Sequence, residues 1–204
     1  AVIDYKLNGS ALTLDRVYHG LSLQLLTYLL VLRENGEKLT GRKMTPAAAF
    51  YVKLLRQLDE VKHPDEVSLE DPTLLDLRVK PRGIFEEGYL PALDNSGMPG
   101  QSKVVNALVK ADGTLGKRGD AAERDAFSAL IDHVQLRIGQ IADLLLDGHI
   151  APHPFQINGV SPCPNCDFRP VCRFDPAIDR YKHLDSLKRD EVLRLVVERG
   201  AREQ

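Results

Sequence analysis

Near the start of the chain, Asp4 and Lys6 stand two apart in the run Ala1-Val2-Ile3-Asp4-Tyr5-Lys6. In an extended strand that spacing projects both side chains from one face, so a carboxylate and an ammonium stand side by side. Phosphodiester hydrolysis needs a divalent ion to polarise the phosphate and activate water, and a cation near the developing charge helps further. Asp4 suits the first task as a ligand, and Lys6 suits the second. The same two residues also make an ordinary charge pair on a solvated strand end, and spacing alone does not separate the two readings. Gln24 and Tyr28 lie one helical turn apart in an otherwise apolar segment, so they share a face and need polar partners wherever that face is buried. They read either as a surface glutamine beside an amphipathic core tyrosine, or as a pair reaching the region of Asp4 and Lys6.

The other chemical cluster is Cys163, Cys166 and Cys172, set among prolines and charges from Pro162 to Asp175. Two and then five residues separate these thiols, a spacing that lets a tight loop aim them at one centre. They are the only three cysteines of the chain, and an odd, clustered set suits a metal site better than a disulfide framework. Zinc held by three cysteines and His153, a short loop upstream, is chemically reasonable. An iron-sulfur cluster prefers four cysteines, and spacing leaves both metals open.

The elements that must position these groups follow from periodicity. The opening run is a strand pattern, and Asn8-Gly9-Ser10 supplies a turn. From about Leu14 to Arg33, apolar residues recur at helical spacing, with Thr13 as N-cap and Gly36 just past the end, which predicts one long helix. The apolar run from Ala47 to Leu55 predicts a buried strand beside the first. Residues 57–120 are weakly periodic, with Leu74 to Val79 and Lys103 to Val109 as candidate strands. A long amphipathic helix is predicted from Ala121 to Asp147, its stripe running from Phe127 to Leu145 and Gly148 ending it. A last helix is expected from Ser186 to about Arg199, with Asp190 and Glu191 in its first turns.

With 204 residues and 43% hydrophobic content the chain can bury a real core. A formal charge of -2 gives no global basic signature, so any nucleic-acid contact must be local or shared with other chains. No apolar run is long enough to span a membrane and the N-terminus has no secretory pattern, so a cytoplasmic protein without a membrane partner is expected.

Ile3-Asp4-Tyr5-Lys6 followed by Tyr18-His19-Gly20-Leu21-Ser22-Leu23-Gln24-Leu25-Leu26-Thr27-Tyr28-Leu29 closely resembles the RecB-type nuclease domain of the AddB family. The cysteine segment resembles the same family, so the likeness covers nearly the full chain, with its sharp motifs at the two ends. The resemblance implies a restriction-endonuclease-like α/β fold, a mixed sheet flanked by helices, here N-terminally incomplete. It implies a partial nuclease domain over residues 1–158 and a cysteine loop with a C-terminal helix over 159–204. Asp4 would ligate Mg2+ together with the backbone carbonyl of Tyr5, Lys6 would be the catalytic lysine, and Gln24 and Tyr28 would belong to the same active site. Cys163, Cys166 and Cys172 would hold a [4Fe-4S] cluster whose fourth cysteine lies upstream of this chain. The implied partners are DNA, at double-strand ends being repaired by recombination, and an AddA-type helicase-nuclease subunit. The acidic residue and histidine that precede the strand in that family are absent here, so the isolated chain is expected to be a weak nuclease. The rival expectation is a non-catalytic zinc or iron-sulfur module that docks DNA or another subunit.

Overall fold

The computed structural model describes residues 1–7, 11–54, 80–116 and 119–202. The turn expected at Asn8-Gly9-Ser10 and the strand expected over Leu74 to Val79 lie outside them. Strand β1 is Val2–Lys6. Helix α1, Leu14–Tyr18, starts after Thr13, whose backbone is extended as an N-cap requires but whose side chain makes no capping bond. Helix α2 runs over Gln24–Thr40, and strand β2 over Ala48–Lys53. The one helix expected over Leu14 to Arg33 is therefore two.

The break is a Schellman turn. Gly20 adopts a φ of +82°, with Gly20 N–H bonded to the Val17 carbonyl at 3.0 Å and Leu21 N–H to the Arg16 carbonyl at 2.7 Å. The Tyr18 carbonyl accepts instead from His133 Nε2 and Arg137 Nε, both at 2.9 Å, so donors from a distant helix take the place of the next helical turn. Gly36, expected beyond a helix end, lies inside α2, where a Cβ would come within 2.5 Å of the Met44 side chain. The helix ends at Gly41, with φ +72°.

Strand β3, Arg82–Glu86, is followed by a short 3-10 turn and by α3, Leu90–Leu93. A two-stranded ribbon of β4, Gly100–Gln101, and β5, Leu108–Val109, comes next, then β6, Ala121–Ala122. The strand expected over Lys103 to Val109 is thus confined to its last two residues. Helix α4 spans Arg124–Leu146, and Gly148 at φ +68° follows its end as expected. Strand β7, Phe155–Ile157, helix α5, Arg169–Cys172, strand β8, Lys182–Leu184, and helix α6, Arg189–Gly200, complete the described chain. Asp190 and Glu191 occupy the first turn of α6, whose cap is Lys188 rather than Ser186.

The main sheet has the order β1-β2-β3-β6. Strand β2 lies parallel to β1 and antiparallel to β3, and β3 lies parallel to β6, so the sheet is mixed as expected. Composition hid β3, although it is central. A Cβ on Gly83 would lie 2.0 Å from the Ala49 carbonyl oxygen, so only glycine lets the backbones approach this closely. On one face, Leu25, Leu26 and Leu29 of α2, Phe127, Leu130 and Val134 of α4 and Val192 of α6 pack on Ala49, Tyr51 and Ile84. On the other, Phe50 and Phe85 are covered by Val105 and Ala107 of the 87–116 segment. Each large apolar side chain so buried stabilises the fold by ~2 kcal/mol.

The apolar stripe of α4 does not stay buried to Leu145. Leu144, Leu145 and Leu146 are exposed, because a helix of 23 residues, about 35 Å long, outruns the 12 residues of α6 packed along it.

Candidate active site

The alternation of β1 turns Val2, Asp4 and Lys6 toward the helices and Ile3 and Tyr5 away, where their side chains are 51% and 60% exposed. Lys6 Nζ lies 2.8 Å from Asp4 Oδ2. The same amine donates to Gln24 Oε1 at 3.3 Å, and Gln24 Nε2 donates to Tyr28 Oη at 2.9 Å. The four side chains singled out in the sequence thus form one continuous polar chain. Tyr51, paired in register with Asp4 on β2, places its ring 5.4 Å from Lys6 Nζ.

The local fold explains the meeting. The Schellman turn at Gly20 reverses the chain after α1, and Gln24 becomes the first residue of α2, one turn before Tyr28. That helix begins without a side-chain cap or an acidic residue in its first turn, so its unpaired N–H groups add positive potential beside Lys6.

The Asp4 carboxylate beside Lys6 holds the ammonium above the ordinary lysine value, against a smaller opposing push from burial. Beside Asp4, Lys6 therefore carries its charge at neutral pH. Burial pushes the Tyr51 phenol up, against the opposing pull of the Lys6 charge, so Tyr51 presents a neutral ring. Asp4 Oδ2 is buried and, beyond this ion pair, receives no hydrogen bond of normal geometry. A buried carboxylate oxygen short of donors is suited to ligate a cation.

The backbone adds a second oxygen. The Lys6 carbonyl accepts from Leu54 N–H at 2.9 Å, so Lys6 faces β2, and Tyr5, one residue back, turns its carbonyl to the open edge of the described sheet. One carboxylate and one carbonyl, completed by water and phosphate, fit the sparse protein coordination that Mg2+ accepts. Among the described residues no three His, Cys, Asp or Glu side chains assemble into a metal-holding group.

The cysteines lie elsewhere. Strands β7 and β8 pair in parallel and close off the excursion of residues 158–181. Within it Cys163 starts a 3-10 turn and is partly buried, while Cys166 and Cys172 are exposed, and all three are free thiols. His153 faces His149, ring centroids 6.0 Å apart. Three free thiols in one loop are of the donor type that a thiophilic metal takes, but among the described residues the structure does not gather them into a metal-holding group.

Sequence reasoning missed Tyr51, whose ring lies under the Lys6 amine. The alternation Ala49, Tyr51, Lys53 carried the signal, but using it requires knowing the register against β1. It also missed Asp120, a buried carboxylate that accepts from Arg82 Nε at 3.2 Å, Gly83 N–H at 2.9 Å and Asn106 Nδ2 at 2.8 Å and so clamps β3 to the segment before β6.

Comparison with known proteins bears on this geometry. The profile of the PD-(D/E)XK nuclease superfamily matches residues 1–173, from β1 through the cysteines. The chain is 32% identical over 206 residues to an ATP-dependent helicase/deoxyribonuclease subunit of Symbiobacterium thermophilum, covering 98% of this chain and 17% of the relative. The protein of the same name from Desulforudis audaxviator is 32% identical over 197 residues, covering 96% of this chain, and that from Clostridium tetani is 30% identical over 202, covering 97%. The chain spans 17% of the length of each of these relatives. With a mixed sheet flanked by helices and a family match over most of its length, the chain belongs to the PD-(D/E)XK nuclease superfamily.

Proposed function

We propose that this chain is the nuclease portion of a DNA-degrading subunit that works with an AddA-type helicase-nuclease in the repair of double-strand breaks by recombination. The names of its relatives support the substrate class and a helicase partner. The observation that carries the chemistry is the chain Asp4, Lys6, Gln24, Tyr28 at the end of β1. Residues 1–158 form the nuclease part and 159–204 the cysteine-loop part of a cytoplasmic protein; among the described residues no helix is long and apolar enough to cross a membrane.

Asp4 and the Tyr5 carbonyl would hold Mg2+, which when bound would supply Lewis-acid polarisation of the scissile phosphate and activation of water. Lys6, kept charged by Asp4, stabilises the negative charge that develops on the phosphate. Gln24 accepts from Lys6 and fixes the amine at the strand end. Tyr28, half-exposed, offers its hydroxyl to the DNA backbone. Cys163, Cys166 and Cys172 would hold a [4Fe-4S] cluster of structural role, with a fourth ligand from outside this chain.

In the complete subunit, Asp4→Ala should lower magnesium-dependent cutting of linear DNA roughly a thousandfold while leaving helicase activity of the partner intact. Undiminished cutting by the variant would remove the assignment. One observation favours a non-catalytic docking module instead: Asp4 is the single carboxylate of the polar chain. Cleavage rates of this chain and of a longer one decide that point. The nuclease reading expects a weak isolated chain and an active longer one, and two inactive proteins would favour docking.

A further inference from the structure

We infer that Tyr51 is a positioning residue for Lys6, a role that rests on the nuclease reading above. The motif-bearing strand and helix supply two of the groups around the Lys6 amine, the Asp4 carboxylate at 2.8 Å and Gln24 Oε1 at 3.3 Å. Both are polar and exchangeable, and a magnesium ion on Asp4 would compete for the first. The third neighbour is the ring of Tyr51, its face 5.4 Å from Nζ. A ring attracts an ammonium through its quadrupole and does not bind the metal, so this restraint persists when Asp4 is engaged.

Tyr51 is built for constancy. It lies on β2 directly opposite Asp4, with β1 on one side and β3 on the other, so its backbone is fixed by ladder bonds to both neighbours. Its side chain is only 6% exposed and belongs to the core that α2 covers. The ring therefore transmits the placement of the core to a lysine whose four-carbon stem would otherwise let the charge wander. The face of an aromatic ring is the feature that matters.

The test compares Tyr51→Phe, which keeps the ring, with Tyr51→Leu and Tyr51→Met, which remove it while keeping apolar bulk. All are made in the complete subunit and assayed on linear duplex DNA. Tyr51→Phe should cut at close to the wild-type rate. The ring-less variants should lose about tenfold in kcat with KM for DNA little changed, the size expected for losing a partly buried cation–π contact. Placed on a Lys6→Ala background, Tyr51→Leu should cause no further loss, because its effect runs through Lys6. Two variants of different shape keep the test open if one fails to fold. A further multiplicative loss on the Lys6→Ala background, or equal losses in Phe, Leu and Met variants that follow melting temperature, would mean that Tyr51 is only a core residue. Loss in Lys6→Ala with full activity in the folded ring-less variants would overturn the positioning role alone. Full activity in Lys6→Ala would overturn the nuclease reading with it.

Discussion

The β1–α2 site and the cysteine loop are the two chemically loaded regions of this chain, and they are held in opposite ways. Asp4, Lys6, Gln24 and Tyr28 stand on a strand and a helix whose other faces are in the core, so burial of Leu25, Leu26 and Leu29 indirectly orders the polar chain. The cysteine loop has no such support. Phe168 and Val171, between the second and third thiols, are 73% and 82% exposed, and the β7–β8 pair with the Phe174–Tyr181 ring contact closes the excursion near its base. A site on regular elements is preorganised by the fold, whereas a loop that buries little depends on what its ligands bind.

The sharpest way to break this comparison is a matched pair of truncations. Phe127→Ala removes a fully buried ring from the core behind the site and should cost about 4 kcal/mol, whereas Phe168→Ala in the loop should stay within about 0.5 kcal/mol. Denaturant unfolding measures both, and similar values would mean that the loop is packed more tightly than its exposure indicates. A smaller effect should follow from occupying the thiols. Metal or cluster bound at Cys163, Cys166 and Cys172 should slow proteolysis within residues 158–181 roughly tenfold and leave cleavage elsewhere unchanged. If protection spread evenly over the chain, the two regions would not be independent.

The smallest effect concerns pH. Asp94 accepts from Ser102 Oγ at 2.5 Å, which holds its carboxyl below the ordinary aspartate value. A depressed folded value contributes stability that is present above the unfolded value and lost as pH falls through the folded one, below about pH 4. Asp94→Asn should therefore flatten the acid limb of the stability profile slightly and leave the cysteine loop untouched. An unchanged limb would show that the Ser102 bond adds nothing to folding.

Much of the site was legible because local periods carry it. Two residues in a strand and four in a helix put Asp4 with Lys6 and Gln24 with Tyr28 whatever the rest of the chain does. The break between α1 and α2 was less legible: hydrophobic spacing runs through Gly20, and the donors that occupy the Tyr18 carbonyl come from His133 and Arg137, more than a hundred positions away. Strand β3 escaped notice because its second residue is a glycine whose purpose, close approach to Ala49, exists only in the assembled sheet.

The sequence by itself determined which side chains share a face, where the thiols cluster and where the long helix α4 runs, since these depend on residues near one another in the chain. Tertiary structure alone decided that β2 pairs parallel to β1 in the register Asp4 with Tyr51, and that α2 starts where Gln24 can reach Lys6. Register and crossing are settled by simultaneous burial of distant surfaces. No local period encodes that sum, and it is what brings the Tyr51 ring beside the Lys6 amine.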